Sequence, residues 1–273
     1  MNMNGKVCIV TGASRGIGRG IALGLGEAGA KVIVTGRGRR DPLLPGSLEE
    51  TAADVTRLGG EGVAVVCDHA DDEQVKRLID SVDRIDVLVN NAFAVPDGRL
   101  KAPFWELPIS HWDTMIDVGL RCHYVATHAA APKLVAQKGG LVVNVSSFGG
   151  KIYAMNVPYG VGKAGVDRMS RDMAKELRPH GVTVVSLWPG IVKTERVLVE
   201  KERLGLPVEP VESPTLSGRA VAALACDPDV LAKKSGQIMV VAELAREYGF
   251  TDVDGTVPPS MFAPSGVTKS VKA

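Results

Sequence analysis

Short runs of apolar, β-branched residues alternate along the chain with longer stretches in which apolar positions recur at helical spacing. Strands are predicted at Lys6–Thr11, Lys31–Thr35, Gly62–Cys67, Asp86–Asn90, Leu141–Ser146, Val182–Leu187 and Gln237–Val241. Most of these runs are apolar on both faces, the pattern of parallel strands covered by helices on each side. Helices are predicted at Arg15–Ala28, Leu48–Leu58, Asp72–Asp83, Ser110–Ala136, Pro158–Arg178 and Thr215–Cys226. Strand, helix, strand in repetition implies right-handed crossovers and an open parallel sheet. The expected fold is therefore α/β: a Rossmann-type, doubly wound, seven-stranded sheet in a single domain over residues 1–273. No internal repeat or low-complexity tract interrupts it.

Three connections stand out. Arg37–Ser47 is rich in Pro, Gly and Arg; Phe93–Pro108 is long and carries Phe104 and Trp105; Ile191–Pro214 is long and charged. The last contains an expected lid at about residues 193–214, because lids are drawn from such loops. Gly, Pro and Ser breakers at about residues 256–273 lead us to expect a disordered tail.

Composition narrows the function classes. Thirty-two basic and 31 acidic residues leave a net charge of +1, so no basic stripe for nucleic acid or a membrane surface is expected. The N-terminus lacks the pattern of a signal peptide, and no apolar run approaches a membrane span. A cytoplasmic protein without membrane partners is expected. Cys8, Cys67, Cys122 and Cys226 form no CxxC pair and read as reduced core thiols. His123 and His128 lie five apart, not the four that would place both on one metal, so they read as surface or interface residues and no metal is expected.

The first strand runs into Thr11-Gly-Ala-Ser-Arg-Gly-Ile-Gly18. A strand, a glycine turn and a helix start form a context in which backbone N–H groups meet a pyrophosphate, placing Gly12, Ser14, Arg15, Gly16, Ile17 and Gly18 at a dinucleotide. An NAD site usually ends its second strand on an acid that holds the ribose 2′-hydroxyl. Here that strand ends Thr35-Gly36-Arg37. Arg37 and Arg15 can instead hold a 2′-phosphate, so NADP(H) is preferred, with NAD(H) as the alternative. Arg39 and Arg40 read as solvated loop.

Pro158-Tyr159-Gly-Val-Gly-Lys163 opens a helix, with Tyr159 and Lys163 on one face. Reduction of a carbonyl by hydride leaves an alkoxide that needs a proton. An ammonium beside a tyrosine is expected to lower its pKa and fit it as the general acid, or as the base in oxidation. Lys163 can also hold the nicotinamide ribose.

The order T-G-x-x-x-G-x-G followed by Y-x-x-x-K resembles the short-chain dehydrogenase/reductase family over about residues 5–245. That resemblance implies further roles. Asp68, beside His69, would contact the adenine, and Asn91 would help hold the cofactor. Ser147, in Ser146-Ser147-Phe148-Gly149-Gly150, would polarise the substrate carbonyl. Pro189 and Gly190 would close on the carboxamide with Val192 and Thr194. It also implies a homodimer or homotetramer paired through the two long helices.

Three departures are visible. Phe93 replaces the Gly of Asn-Asn-Ala-Gly, the Ser147–Tyr159 segment is one residue short, and Gly119 in Asp117-Val118-Gly119-Leu120 replaces the Asn whose backbone holds a relay water. A helix kink at Gly119 would leave a backbone carbonyl free for that water. The leading expectation is NADPH-dependent reduction of a ketone or other carbonyl, which the resemblance implies to be lipophilic or steroid-like, with alcohol oxidation as its reverse. The rival is a nucleotide-binding sensor or scaffold without turnover, suggested by Gly119.

Overall fold

The computed structural model describes residues 1–38, 43–204 and 211–260. Arg39 and Arg40, residues 205–210 of the expected lid and the tail from 261 onward lie outside the described residues. The strands are β1 (Val7–Thr11), β2 (Lys31–Gly36), β3 (Glu61–Val66), β4 (Val87–Asn90), β5 (Gly140–Val145), β6 (Val182–Trp188) and β7 (Ile238–Val240). They form one parallel sheet in the order β3-β2-β1-β4-β5-β6-β7. The order reverses between β1 and β4, and such a reversal opens a crevice at the carboxyl ends of the strands.

The helices are α1 (Gly16–Glu27), α2 (Leu48–Arg57), α3 (Asp72–Asp80), α4 (Ser110–Ile116), α5 (Cys122–Gln137), α6 (Val157–Leu177), α7 (Glu195–Leu204), α8 (Pro214–Cys226), α9 (Val230–Lys234) and α10 (Val241–Tyr248). One apolar layer joins the sheet to α1, α2, α8 and α10 through Ile21, Val55, Leu216 and Leu244. The other joins it to α3, α5 and α6 through Val75, Leu134 and Leu177. Among the described residues no helix is long and apolar enough to cross a membrane.

Local chemistry starts the helices. Ser47 and Glu50 make a reciprocal capping box on α2, Asp71 caps α3, and Asn156 caps α6 with Pro158 in its first turn. α1 differs: Arg15 gives it no side-chain cap, and its first turn holds no acid. Its N-terminal N–H groups remain available to an anion from elsewhere.

Three expectations need correction. The helix predicted at Ser110–Ala136 is broken: residues Asp117–Arg121 form a π-helical turn in which Val118 leaves helical geometry (φ −110°, ψ 69°). β3 is not covered on both faces, because it is the sheet edge; Val66 is 63% exposed. The strand predicted to end at Val241 stops at Val240, where the unpredicted α10 begins. Cys8, Cys67 and Cys122 are buried thiols as expected, whereas Cys226 is exposed.

α1 and α8 meet backbone to backbone. A Cβ on Gly24 would stand 2.5 Å from the Gly218 carbonyl carbon, and one on Gly20 would stand 2.1 Å from that of Pro214. Neither neighbour is a flexible side-chain end, so helix separation is the only relief. Gly24→Ala is expected to cost about 2–3 kcal/mol by overpacking and to lower the thermal midpoint by roughly 5–10 °C. Circular-dichroism melting checks this; an unchanged midpoint would refute the close contact.

Candidate active site

A cleft of about 680 Å³ opens at the β1–β4 reversal. Gly12, Ser14, Arg15, Gly16, Ile17 and Gly18 line one side, and Arg37, Asp68 and His69 another. Asn91, Phe93 and Thr194 complete the wall. The structure thus gathers eleven of the sixteen expected cofactor residues on this cleft; Tyr159, Lys163, Pro189, Gly190 and Val192 are not on its wall.

Asn91 acts through the backbone. Its amide donates to the Thr11 and Gly12 carbonyls (2.9 and 3.1 Å), while the Thr11 hydroxyl accepts the N–H groups of Asn91 and Ala92 (2.9 and 3.0 Å). His69 is buried against the Thr35 hydroxyl at 2.7 Å. Arg37 is exposed at the rim, and Arg15 donates to the Gly46 carbonyl at 3.4 Å.

Sequence reasoning missed Glu195. Its carboxylate accepts the Gly16 N–H at 2.8 Å, so the first residue of α7 supplies the anion that the α1 N-terminus lacks. The contact spans 179 residues, and only an acid directly after Thr194 hinted at it.

Behind the cleft stand Ser147, Tyr159 and Lys163. Ser147 lies just past β5, where its hydroxyl accepts the Gly149 N–H at 3.1 Å. The chain returns to α6 through Met155, whose φ of 61° is uncommon for so bulky a residue. Tyr159 packs with Met155, Val95 and Val197 around buried Leu100 and Met115. Burial raises its pKa above the ordinary phenol value, against the lowering effect of its hydrogen bond with Ser147. This corrects the expectation that Lys163 lowers it: the Lys163 ammonium is 6.0 Å from the Tyr159 ring and donates to the Val145 carbonyl at 3.1 Å.

Lys163 is 6% exposed, and burial pulls its pKa down to about 8 against the opposing charge of Asp167. Asp167, one turn along α6, also escaped sequence reasoning; it accepts from Ser186 (2.6 Å) and the Trp188 indole (2.9 Å). Ser146 is the structural neighbour expected, donating to the Lys163 carbonyl. The carbonyl expected to be freed by the kink is not free at Val118, because it accepts the Ala94 N–H at 2.8 Å.

Past β6, Gly190 donates its N–H to Glu212 at 2.8 Å, and Val192 bridges to Glu212. Glu212 is buried and its pKa is pushed up to about 7, by burial first. Phe104 and Trp105 pair edge to face but are largely exposed. No group of metal-binding side chains occurs among the described residues.

The family model described as short chain dehydrogenase matches residues 6–203. The chain belongs to the short chain dehydrogenase family. Within it, the chain is 48% identical over 273 residues to human dehydrogenase/reductase SDR family member 1, covering 93% of this chain and 85% of that one. It is 34% identical over 198 residues to a 3-oxoacyl-[acyl-carrier-protein] reductase of Synechocystis, covering 71% and 76%. Among solved structures, a variant of actinorhodin polyketide ketoreductase with NADPH superposes with a TM-score of 0.76 at 27% identity, covering 86% of this chain and 95% of that one.

Three histidines of this short chain dehydrogenase are buried: His69, His111 and His123. His123 is not at the surface as expected: it is 1% exposed and its Nε2 bonds the Ala92 carbonyl at 3.1 Å. Burial holds the pKa of His69 at about 4, and burial with the Lys163 charge holds that of His123 at about 3. Both folded values lie below the unfolded one, so the unfolded chain binds more protons below about pH 6.5 and stability is lost as pH falls. Glu212, with a raised folded value, acts in the opposite sense over the same window. Asp167, also raised by burial, acts with Glu212, so the two histidines leave a net loss of at most about 1.4 kcal/mol per pH unit between roughly pH 6 and 5. Urea unfolding should show that slope, and His123→Gln should flatten it.

Proposed function

We propose that this enzyme is an NADPH-dependent carbonyl reductase acting on a lipophilic ketone. The observation that carries the reading is the trio behind the cleft: half-buried Tyr159 beside buried Ser147, with buried Lys163 one turn along α6. NADPH supplies the hydride when bound. The cleft suits it: α1 has no cap from its own N-cap residue and carries glycines at the phosphate position, where Glu195 now holds the Gly16 N–H, and β2 ends on Gly36-Arg37 with no acid. Arg37 and Arg15 would hold the 2′-phosphate, and Asp68 would face the adenine. Pro189, Gly190, Val192 and Thr194 would hold the carboxamide end, with Glu212 fixing their turn through Gly190.

The chain's own residues perform the remaining chemistry. The Ser147 hydroxyl polarises the substrate carbonyl and stabilises the developing oxyanion. Tyr159, whose raised pKa keeps it protonated at neutral pH, donates its phenolic proton to that oxygen. The Lys163 charge then favours the phenolate left behind. The apolar surroundings of Tyr159, with Val197 contributed by α7, favour a lipophilic substrate under a lid. The names of the Synechocystis reductase and the ketoreductase with NADPH support reduction and this cofactor.

Turnover of NADPH and NADH by the purified protein, on a panel of ketones and steroids, tests the reading. NADPH is expected to be preferred, and Tyr159→Phe to lose about 10²-fold or more in kcat. Arg37→Asp is expected to erase about tenfold or more of the NADPH preference, the worth of a charge-assisted contact. NADPH binding without turnover on any substrate would instead support the sensor reading.

Glu195 yields a separate expectation. Its carboxylate occupies the Gly16 N–H that a pyrophosphate would use. Glu195→Gln is expected to tighten NADPH binding about fivefold, read by fluorescence titration, because the like charge at the α1 N-terminus is removed.

A further inference from the structure

We propose that Phe93 is a positioning residue for Lys163: its ring fills the space over Gly119 in the broken helix and seats the lysine ammonium against the Val145 carbonyl, so that positions 93 and 119 work as one unit. Three contacts converge on this ring. The Lys163 ammonium lies 4.7 Å from its centroid. Tyr159 meets it edge to face at 5.8 Å, with the planes at 78°. A Cβ on Gly119 would stand 2.7 Å from Cδ2 of Phe93 and 3.0 Å from Cε2. The φ of Gly119 is 171°, open to any residue, so space and not backbone freedom calls for glycine.

The ring has little freedom to leave. Ala92 before it is held by the Thr11 hydroxyl at its N–H and by His123 at its carbonyl. Ala94 after it donates to the Val118 carbonyl at the break in the helix. The π-helical turn, α5 and the end of β1 thus fix the two peptide neighbours of Phe93.

The ammonium needs such a seat. Around it stand Asp167 and Tyr159 from α6, Cys122 and His123 from α5, and the Val145 carbonyl from β5. Burial holds His123 neutral and pushes the Cys122 thiol up to about 12. Asp167 is the carboxylate whose charge opposes the loss of the proton from Lys163. An aromatic face at this distance favours the charged amine where water is excluded. A leucine of similar bulk would exclude the same water without that attraction.

The test has an arm that needs no turnover, so it stands apart from the carbonyl-reductase reading on which the kinetic arm rests. Competitive acetylation of Lys163 across pH, read by peptide mass spectrometry, gives its titration midpoint. Phe93→Leu is expected to lower that midpoint by about half a unit or more, and Phe93→Tyr, which keeps the ring face, to preserve it. In turnover, Phe93→Leu should lose about tenfold in kcat with the KM for NADPH held within about twofold, and Phe93→Tyr should restore the rate. Thermal melting of Gly119→Ala in the wild-type and Phe93→Ala backgrounds completes the test. Alanine at 119 should destabilise the first and be tolerated in the second. An unmoved Lys163 midpoint in folded Phe93→Leu, or the same cost for alanine at 119 in both backgrounds, would overturn the proposal.

Discussion

The site hangs on the clasp between the ends of β1 and β4. Their ladder stops at Val10 opposite Val89, and beyond it the two chains diverge toward opposite faces of the sheet. Thr11 and Asn91 close that gap with four hydrogen bonds. α1 seats on the same clasp, since a Cβ on Gly18 would meet the Gly12 carbonyl oxygen at 2.3 Å and the Asn91 amide at 2.4 Å. The glycine turn and the loop carrying Phe93 are therefore one rigid piece. A crevice at a sheet reversal is a general property of doubly wound folds; here its two lips are also bonded to each other.

The electrostatics behind that piece are set by burial more than by pairing. Burial lowers the lysine pKa and raises the tyrosine pKa, and neither Asp167 nor Ser147 reverses the direction. The resting pair at neutral pH is then a neutral phenol and a cationic amine. That is the protonation a reductive step requires, because a phenol already deprotonated has nothing to give. The lysine charge acts when the phenolate forms, not before.

The glycine turn, the Tyr159–Lys163 spacing and five of the helices (α1, α2, α3, α6 and α8) were legible in the sequence because each depends on residue types at short, fixed spacing. The strands were legible for the same reason, to within a residue or two at their ends. Partners far apart in the chain were not legible. Glu195 on Gly16, Glu212 on Gly190 and Phe93 over Gly119 are contacts that topology creates. α10 was hidden because Val240 and Val241 continue a β-branched run, and only the spacing of Val241, Leu244 and Ala245 with Gly249 beyond marks the helix. The exposure of β3 follows from its place at the sheet edge, which no local pattern states.

The two departures from the family pattern at positions 93 and 119 have a common physical cause once the fold is known. A glycine at 119 beside a glycine at 93 would leave a void under Lys163, and asparagine at 119 beside phenylalanine at 93 would collide with the ring. Phenylalanine with glycine fills the space without collision. Gly119 was the one sequence feature pointing to a protein without turnover, on the ground that a side chain was missing there. That side chain's space is occupied, and its occupant faces both Tyr159 and Lys163. A chain drifting away from catalysis has no physical need to keep an aromatic face on a buried ammonium, whereas an enzyme that depends on that charge does.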